Sequence, residues 1–94
     1  MNKHTPGPWT YEGTGCQIGG PDRVLIADTF GLERAPETRQ ANARLIAAAP
    51  DLLAALERVA AWVGQYEELP DHAPAARAMG EVIRAALARA RGEA

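Results

Sequence analysis

Residues 41–56 read Ala41-Asn42-Ala43-Arg44-Leu45-Ile46-Ala47-Ala48-Ala49-Pro50-Asp51-Leu52-Leu53-Ala54-Ala55-Leu56. Alanine is the best helix former, and Asn42, Leu45, Ile46 and Ala49 recur at helical spacing, so the stretch opens as a helix. Upstream, Pro36 suits a first helical turn and Glu37 favours the positive end of the helix dipole. Pro50 then breaks the pattern, because its ring lacks an N–H and crowds the carbonyl of Ile46. Pro50-Asp51 also reads as a fresh start, and the apolar stripe resumes through Leu52/Leu53, Leu56, Val59/Ala60 and Val63. The spacing therefore predicts one helix, a break at Ala49–Pro50, and a second helix to about Tyr66.

Glu67-Glu68-Leu69-Pro70-Asp71-His72 is a connection. A last helix is expected from near Pro74, carrying Ala75/Ala76, Met79, Val82/Ile83, Ala86/Leu87 and Ala90 close to a heptad seam, with Gly92 ending it. A connection this short makes the last two helices an antiparallel hairpin.

Residues 1–34 are punctuated differently, by Gly7, Gly13, Gly15, Gly19, Gly20 and Gly31 and by Pro6, Pro8 and Pro21. Between the breakers lie Trp9-Thr10-Tyr11-Glu12, then Cys16-Gln17-Ile18, then Arg23-Val24-Leu25-Ile26-Ala27-Asp28, the strongest strand signal in the chain. Turns are expected at Gly13-Thr14-Gly15 and Gly19-Gly20-Pro21-Asp22. The simplest assembly is a three-stranded antiparallel meander that leans on the helices, since three short strands are marginal alone. The expected fold class is α+β: one domain over residues 1–94, with a β meander (1–34) packed on a helical part (35–94) that ends in the antiparallel hairpin.

Composition sets the limits. At 94 residues the chain is one domain at most, and it removes roughly 60–65% of its unfolded surface from water. Hydrophobic residues make up 47%, but twenty of them are alanine and the aromatics are one Phe, two Trp and two Tyr. Large core-filling side chains are scarce, so uncovered apolar area is expected to drive assembly into a homo-oligomer. The apolar content argues against disorder, and no 18-residue apolar run is present to span a membrane. A net charge of −2 argues against binding along duplex DNA. Nine of the ten basic residues are arginine, a bias that Ala-, Arg- and Gly-rich chains carry as composition. The opening residues show no hydrophobic signal segment, which makes a cytoplasmic location the expectation.

Catalytic chemistry finds little to stand on. The chain contains no serine, and its single cysteine excludes an intrachain disulfide. His4, Cys16 and His72 have no metal-ligand spacing, so neither a metal nor a cofactor is expected. Glu67, Glu68 and Asp71 read as a solvated loop, and the paired glycines do not open a helix after a strand. A non-enzymatic protein is the expectation.

Two segments carry candidate binding residues. Thr5-Pro6-Gly7-Pro8 stiffens the approach to Trp9, which is either an aromatic plug of the core or a stacking surface for a base. In Arg39-Gln40-Ala41-Asn42-Ala43-Arg44, Asn42 shares the face of Leu45 and Ile46, where it either ties the helix to backbone groups or reads an anionic ligand. Arg39 stands one turn before Asn42 and is its partner within a protomer. Arg44 is turned about 200° away and is expected to serve a second subunit or a salt bridge.

His4-Thr5-Pro6-Gly7-Pro8-Trp9 together with Ala41–Leu56 resembles a family of small tailed-phage and prophage proteins that pair a TPGPW opening with an ANARLIAAAPDLL helix. The resemblance covers both motifs in order, about two thirds of the chain. It implies a phage accessory protein in a bacterial host cytoplasm. Small phage proteins of that kind commonly antagonise host defence. The leading expectation is counter-defence by sequestering a small anionic nucleotide-derived immune signal, without turnover, at Trp9, Arg39 and Asn42, with Arg44 from a neighbouring subunit. The alternative is a protein-binding inhibitor of a host defence protein, or a phage regulator.

Overall fold

The helical break is where Pro50 demands it, one residue earlier than the spacing predicts. In the computed structural model, which describes residues 3–12, 16–30 and 35–93, α1 (Pro36–Ala47) closes at Ala48 and α2 (Ala49–Tyr66) starts at once. The amide of Ala48 still donates to the Arg44 carbonyl at 3.0 Å, and Leu52 donates to Ala48 at 2.9 Å. Pro50 thus occupies the second position of a new helix, where an N–H has no intrahelical partner to lose.

The chain parts into two compact units, Met1–Leu52 and Leu53–Ala94. The first holds the sheet: β1 (Thr10–Tyr11), β2 (Gln17–Gly19) and β3 (Leu25–Asp28), antiparallel in the order β1-β2-β3. This is the meander expected from the sequence. Its middle row sets Tyr11 opposite Ile18 and Ile18 opposite Ala27. The register then slips, so that Gly19 faces Leu25 and Ile26 is the extra residue of a bulge. The bulge lets Ile26 and Ala27 both be half-buried and leaves Leu25 on the open side. The expected turn at Gly13-Thr14-Gly15 and the join over residues 31–34 lie outside the described residues.

Helix α1 packs on β1 and β2. Ile18 in β2 and Ala43 in α1 are both fully buried, the deepest residues of this unit. The buried side of α1 runs through Arg39, Gln40, Ala43, Ile46 and Ala47. That corrects the expected face of Asn42 and Leu45 by one residue, about 100° of rotation. Asn42 is exposed and Leu45 is 65% exposed.

The second unit is the helical hairpin of α2 with α3 (Ala73–Ala90). The Leu69 carbonyl accepts from His72 at 3.0 Å and Ala73 at 2.8 Å, turning the connection into the new helix. On α3 the buried positions are Ala73, Ala76, Gly80, Ile83 and Leu87, a strict alternation of three and four. Val63, Ala76, Ile83 and Leu87 form the buried cluster, with Leu53, Leu56, Ala60 and Tyr66 packed against it. Two ion pairs join the helices, Arg84 to Glu67 at 2.9 Å and Arg91 to Glu57 at 2.8 Å. The helix ends in a Schellman turn, as Gly92 predicts: Gly92 takes φ of +72°, Glu93 donates to Ala88 at 2.8 Å, and Gly92 donates to Arg89 at 3.2 Å. Among the described residues, no helix is long and apolar enough to cross a membrane.

Candidate functional site

Each candidate from the sequence has a definite place. Trp9 is half-buried, and its indole N–H donates to the Thr5 carbonyl at 3.1 Å. The His4 ring meets it edge-on, with ring centroids 6.3 Å apart. Trp9 therefore folds the Thr5-Pro6-Gly7-Pro8 segment back on itself. Its polar tip is engaged within the protein, which fits a structural anchor better than an open stacking platform.

Asn42 and Arg44 stand exposed on α1. Being in water, Asn42 has no buried amide to satisfy. The tie between helix and sheet comes from the other side: the Thr29 hydroxyl donates to the Arg39 carbonyl inside α1 at 3.0 Å, and the Thr29 amide donates to Cys16 at 2.8 Å. One residue after β3 thus fixes both the edge of β2 and the position of α1. Nothing in the sequence distinguishes Thr29 from an ordinary loop threonine.

Arg39 is the candidate that leads to a surface. Its guanidinium lies over the Phe30 ring, 5.4 Å from the centroid, the geometry of a cation–π contact. Phe30 itself is 72% exposed and lines an open cleft of about 620 Å³ on the free side of the sheet. Glu12, Cys16, Arg23, Leu25 and Asp28 also line that cleft; Trp9, Asn42 and Arg44 do not. Phe30 is held in place because its amide donates to the Asp28 carboxylate at 2.8 Å.

Arg23 is strained in a way the sequence does not announce. The segment Pro21–Arg23 forms one tight turn in which Asp22 and Arg23 take φ of 60° and 62°. The Val24 amide closes it on the Pro21 carbonyl at 3.4 Å. Two successive left-handed residues suit the hand of a hairpin turn, and Asp tolerates that conformation. An arginine there costs about 1 kcal/mol relative to glycine. The turn sets Arg23 at the lining of the cleft.

The site's chemistry is mixed. Glu12, Asp28 and Arg23 all line the cleft, and the Arg39 guanidinium lies over the Phe30 ring. Val24, Leu25 and Phe30 contribute exposed apolar surface beside them. Among the described residues, no cluster of His, Cys, Asp and Glu is grouped to hold a metal ion.

A family model described as "Salmonella phage P22 protein Y8K6" matches residues 1–94, the whole chain. No curated protein and no solved structure matches it.

Proposed function

The chain belongs to the Salmonella phage P22 protein Y8K6 family, and from that premise we propose that it is a phage accessory protein that works by binding a host protein, without catalysis, through the open face of its sheet. One observation carries the proposal: Leu25 and Phe30 stand 58% and 72% exposed beside the strained Arg23. Aromatic and arginine side chains flanked by apolar surface are what protein interfaces concentrate at their centres. Action in the host cytoplasm against a defence protein, or on host regulation, follows from the phage origin as part of the same proposal.

Charge decides the ranking against nucleotide capture. A phosphate-bearing ligand needs an excess of cations where it sits, and here two carboxylates offset two arginines. An open cleft also leaves a small ligand largely in water, whereas small-molecule sites bury most of their ligand. Capture of a nucleotide-derived signal keeps one specific point in its favour. The Phe30 ring, backed by Arg39, offers a base a flat partner, with Arg23 available to a phosphate.

Co-purification from infected host cells tests the proposal, comparing the wild-type chain with a Leu25→Asp variant of equal melting temperature. A host protein retained by the wild type and lost by the variant supports it; identical retention by both overturns it. A thermal-shift panel of cyclic nucleotides addresses the rival. A ligand at 100 times its Kd adds about 2.7 kcal/mol of stability, and such a shift would move the function to nucleotide capture.

A further inference from the structure

The hairpin has a second apolar face. Beside the buried stripe of α2 run Ala55, Val59 and Trp62, and beside that of α3 run Met79, Val82 and Ala86, all exposed. Each of these stripes precedes its helix's buried stripe by one residue, about 100° around the axis. Because the helices are antiparallel, the same backward rotation on both brings the two stripes out on one side of the hairpin. Arg84, Glu57 and Arg91, which make the interhelical ion pairs, lie on the opposite side by the same count. The hairpin is thus polar and cross-linked on one face and apolar on the other, where Arg89 ends the α3 stripe.

We infer that this apolar face is a dimer interface whose partner is a second copy of the chain, the two hairpins closing into a four-helix arrangement. Area supports a partner of that size. Each helix has 18 residues and so runs about 27 Å, and two packed helices are about 20 Å across. The relief of such a face carries several hundred Å² per copy, reaching toward the roughly 800 Å² that each partner contributes to a standard interface. It stands at the upper end of the roughly 300–600 Å² that the largest apolar patch of a monomer covers. The six residues Ala55, Val59, Trp62, Met79, Val82 and Ala86 carry no charge, and Arg89 continues the α3 stripe only in the last turn of the helix; this apolar middle supports a second copy in particular. A twofold interface sets one patch against itself, and an uncharged patch meets no like charge when it does so. Trp62, 57% exposed, is already held edge-on by Tyr66 with centroids 5.3 Å apart. Little side-chain freedom is left to lose on association.

The test is the mass of the full chain by light scattering across a concentration series, with Val82→Glu and Met79→Glu beside the wild type. Val82 is 72% exposed, so its replacement leaves the hairpin folded, which far-UV circular dichroism checks. The wild type is expected at twice the 10.0 kDa chain mass, and each variant at the monomer mass with unchanged helicity, its dimer Kd raised at least 100-fold. Arg77→Glu, on the polar face, is expected to remain dimeric. A wild type that is monomeric at every concentration overturns the inference, and so does a dimer that survives both glutamate substitutions.

Discussion

Gly7 and Pro50 touch. A Cβ built on Gly7 would stand 3.0 Å from the Cβ of Pro50, and the Pro50 Cγ is 3.5 Å away. The Pro6-Gly7-Pro8 opening therefore lies directly on the start of α2. Two motifs far apart in the sequence are one piece of structure: the proline that breaks the helix is also the surface on which the opening segment rests. Trp9 closes the arrangement by bonding back to Thr5. Gly7→Ala forces a methyl against a proline ring, which cannot swing aside as a flexible side chain would. The expected cost is about 1–3 kcal/mol. In a domain this small that lowers Tm by roughly 4–8 °C per kcal/mol, read in a thermal melt. An unchanged melt would mean that the opening segment is not seated on Pro50.

Gly64 and Gly80 answer the same question oppositely to Gly7. Around Gly64, half-buried in α2, nothing lies within 4 Å of where an added methyl would stand, so Gly64→Ala gains helix propensity with no clash. It is expected to stabilise by about 0.5–1 kcal/mol. At Gly80 the methyl meets Glu67 and Arg84, whose flexible ends can part. A surface ion pair is worth about 0–1 kcal/mol, comparable to the propensity gained. Gly80→Ala is therefore expected to leave the urea midpoint nearly unchanged. A loss above about 2 kcal/mol would show that the Glu67–Arg84 pair holds the hairpin more firmly than exposed pairs do.

Arg23→Gly separates stability from function. Glycine takes positive φ freely, so relieving the left-handed arginine is expected to add about 1 kcal/mol. The same change removes the guanidinium from the cleft and is expected to weaken partner binding. A variant that melts higher and retains less of the host protein fits this account. One that melts lower would show that the arginine side chain stabilises its own turn.

The parts of the fold that depend on backbone chemistry were legible in advance. Pro50, the Pro21-Asp22 turn and Gly92 act through ring closure or φ, and each acts within a residue or two of where the sequence places it. Facing was harder. On α1, Leu45 and Ile46 are adjacent and large, so they draw the buried stripe toward themselves and Asn42. The helix instead docks through Ala43, because a small side chain lets it approach the sheet closely. In a chain with alanine at twenty positions, a buried alanine carries no signal. The candidate site was partly legible for a related reason. Arg39 stood out by its place in the motif, but the Phe30 ring beneath it and the left-handed backbone of Arg23 depend on the bulged, tightly turned sheet. No local pattern encodes that geometry.

Thr29 supplies the last prediction. Its hydroxyl donates to the Arg39 carbonyl at 3.0 Å, with a weaker approach to Cys16 at 3.4 Å. Thr29→Val keeps the shape and removes the donor, while the backbone bond from the Thr29 amide to Cys16 remains. A typical intramolecular hydrogen bond contributes about 0.5–1.5 kcal/mol, and that is the expected loss in urea unfolding, with the midpoint moving and the slope constant. Thr29→Ser keeps the hydroxyl and is expected to retain most of the stability. Because the bond ends on the residue whose guanidinium backs Phe30, Thr29→Val is also expected to loosen that ring. Host-protein retention should then fall further with valine than with serine. Equal retention by the two variants would show that Thr29 holds the fold without shaping the cleft.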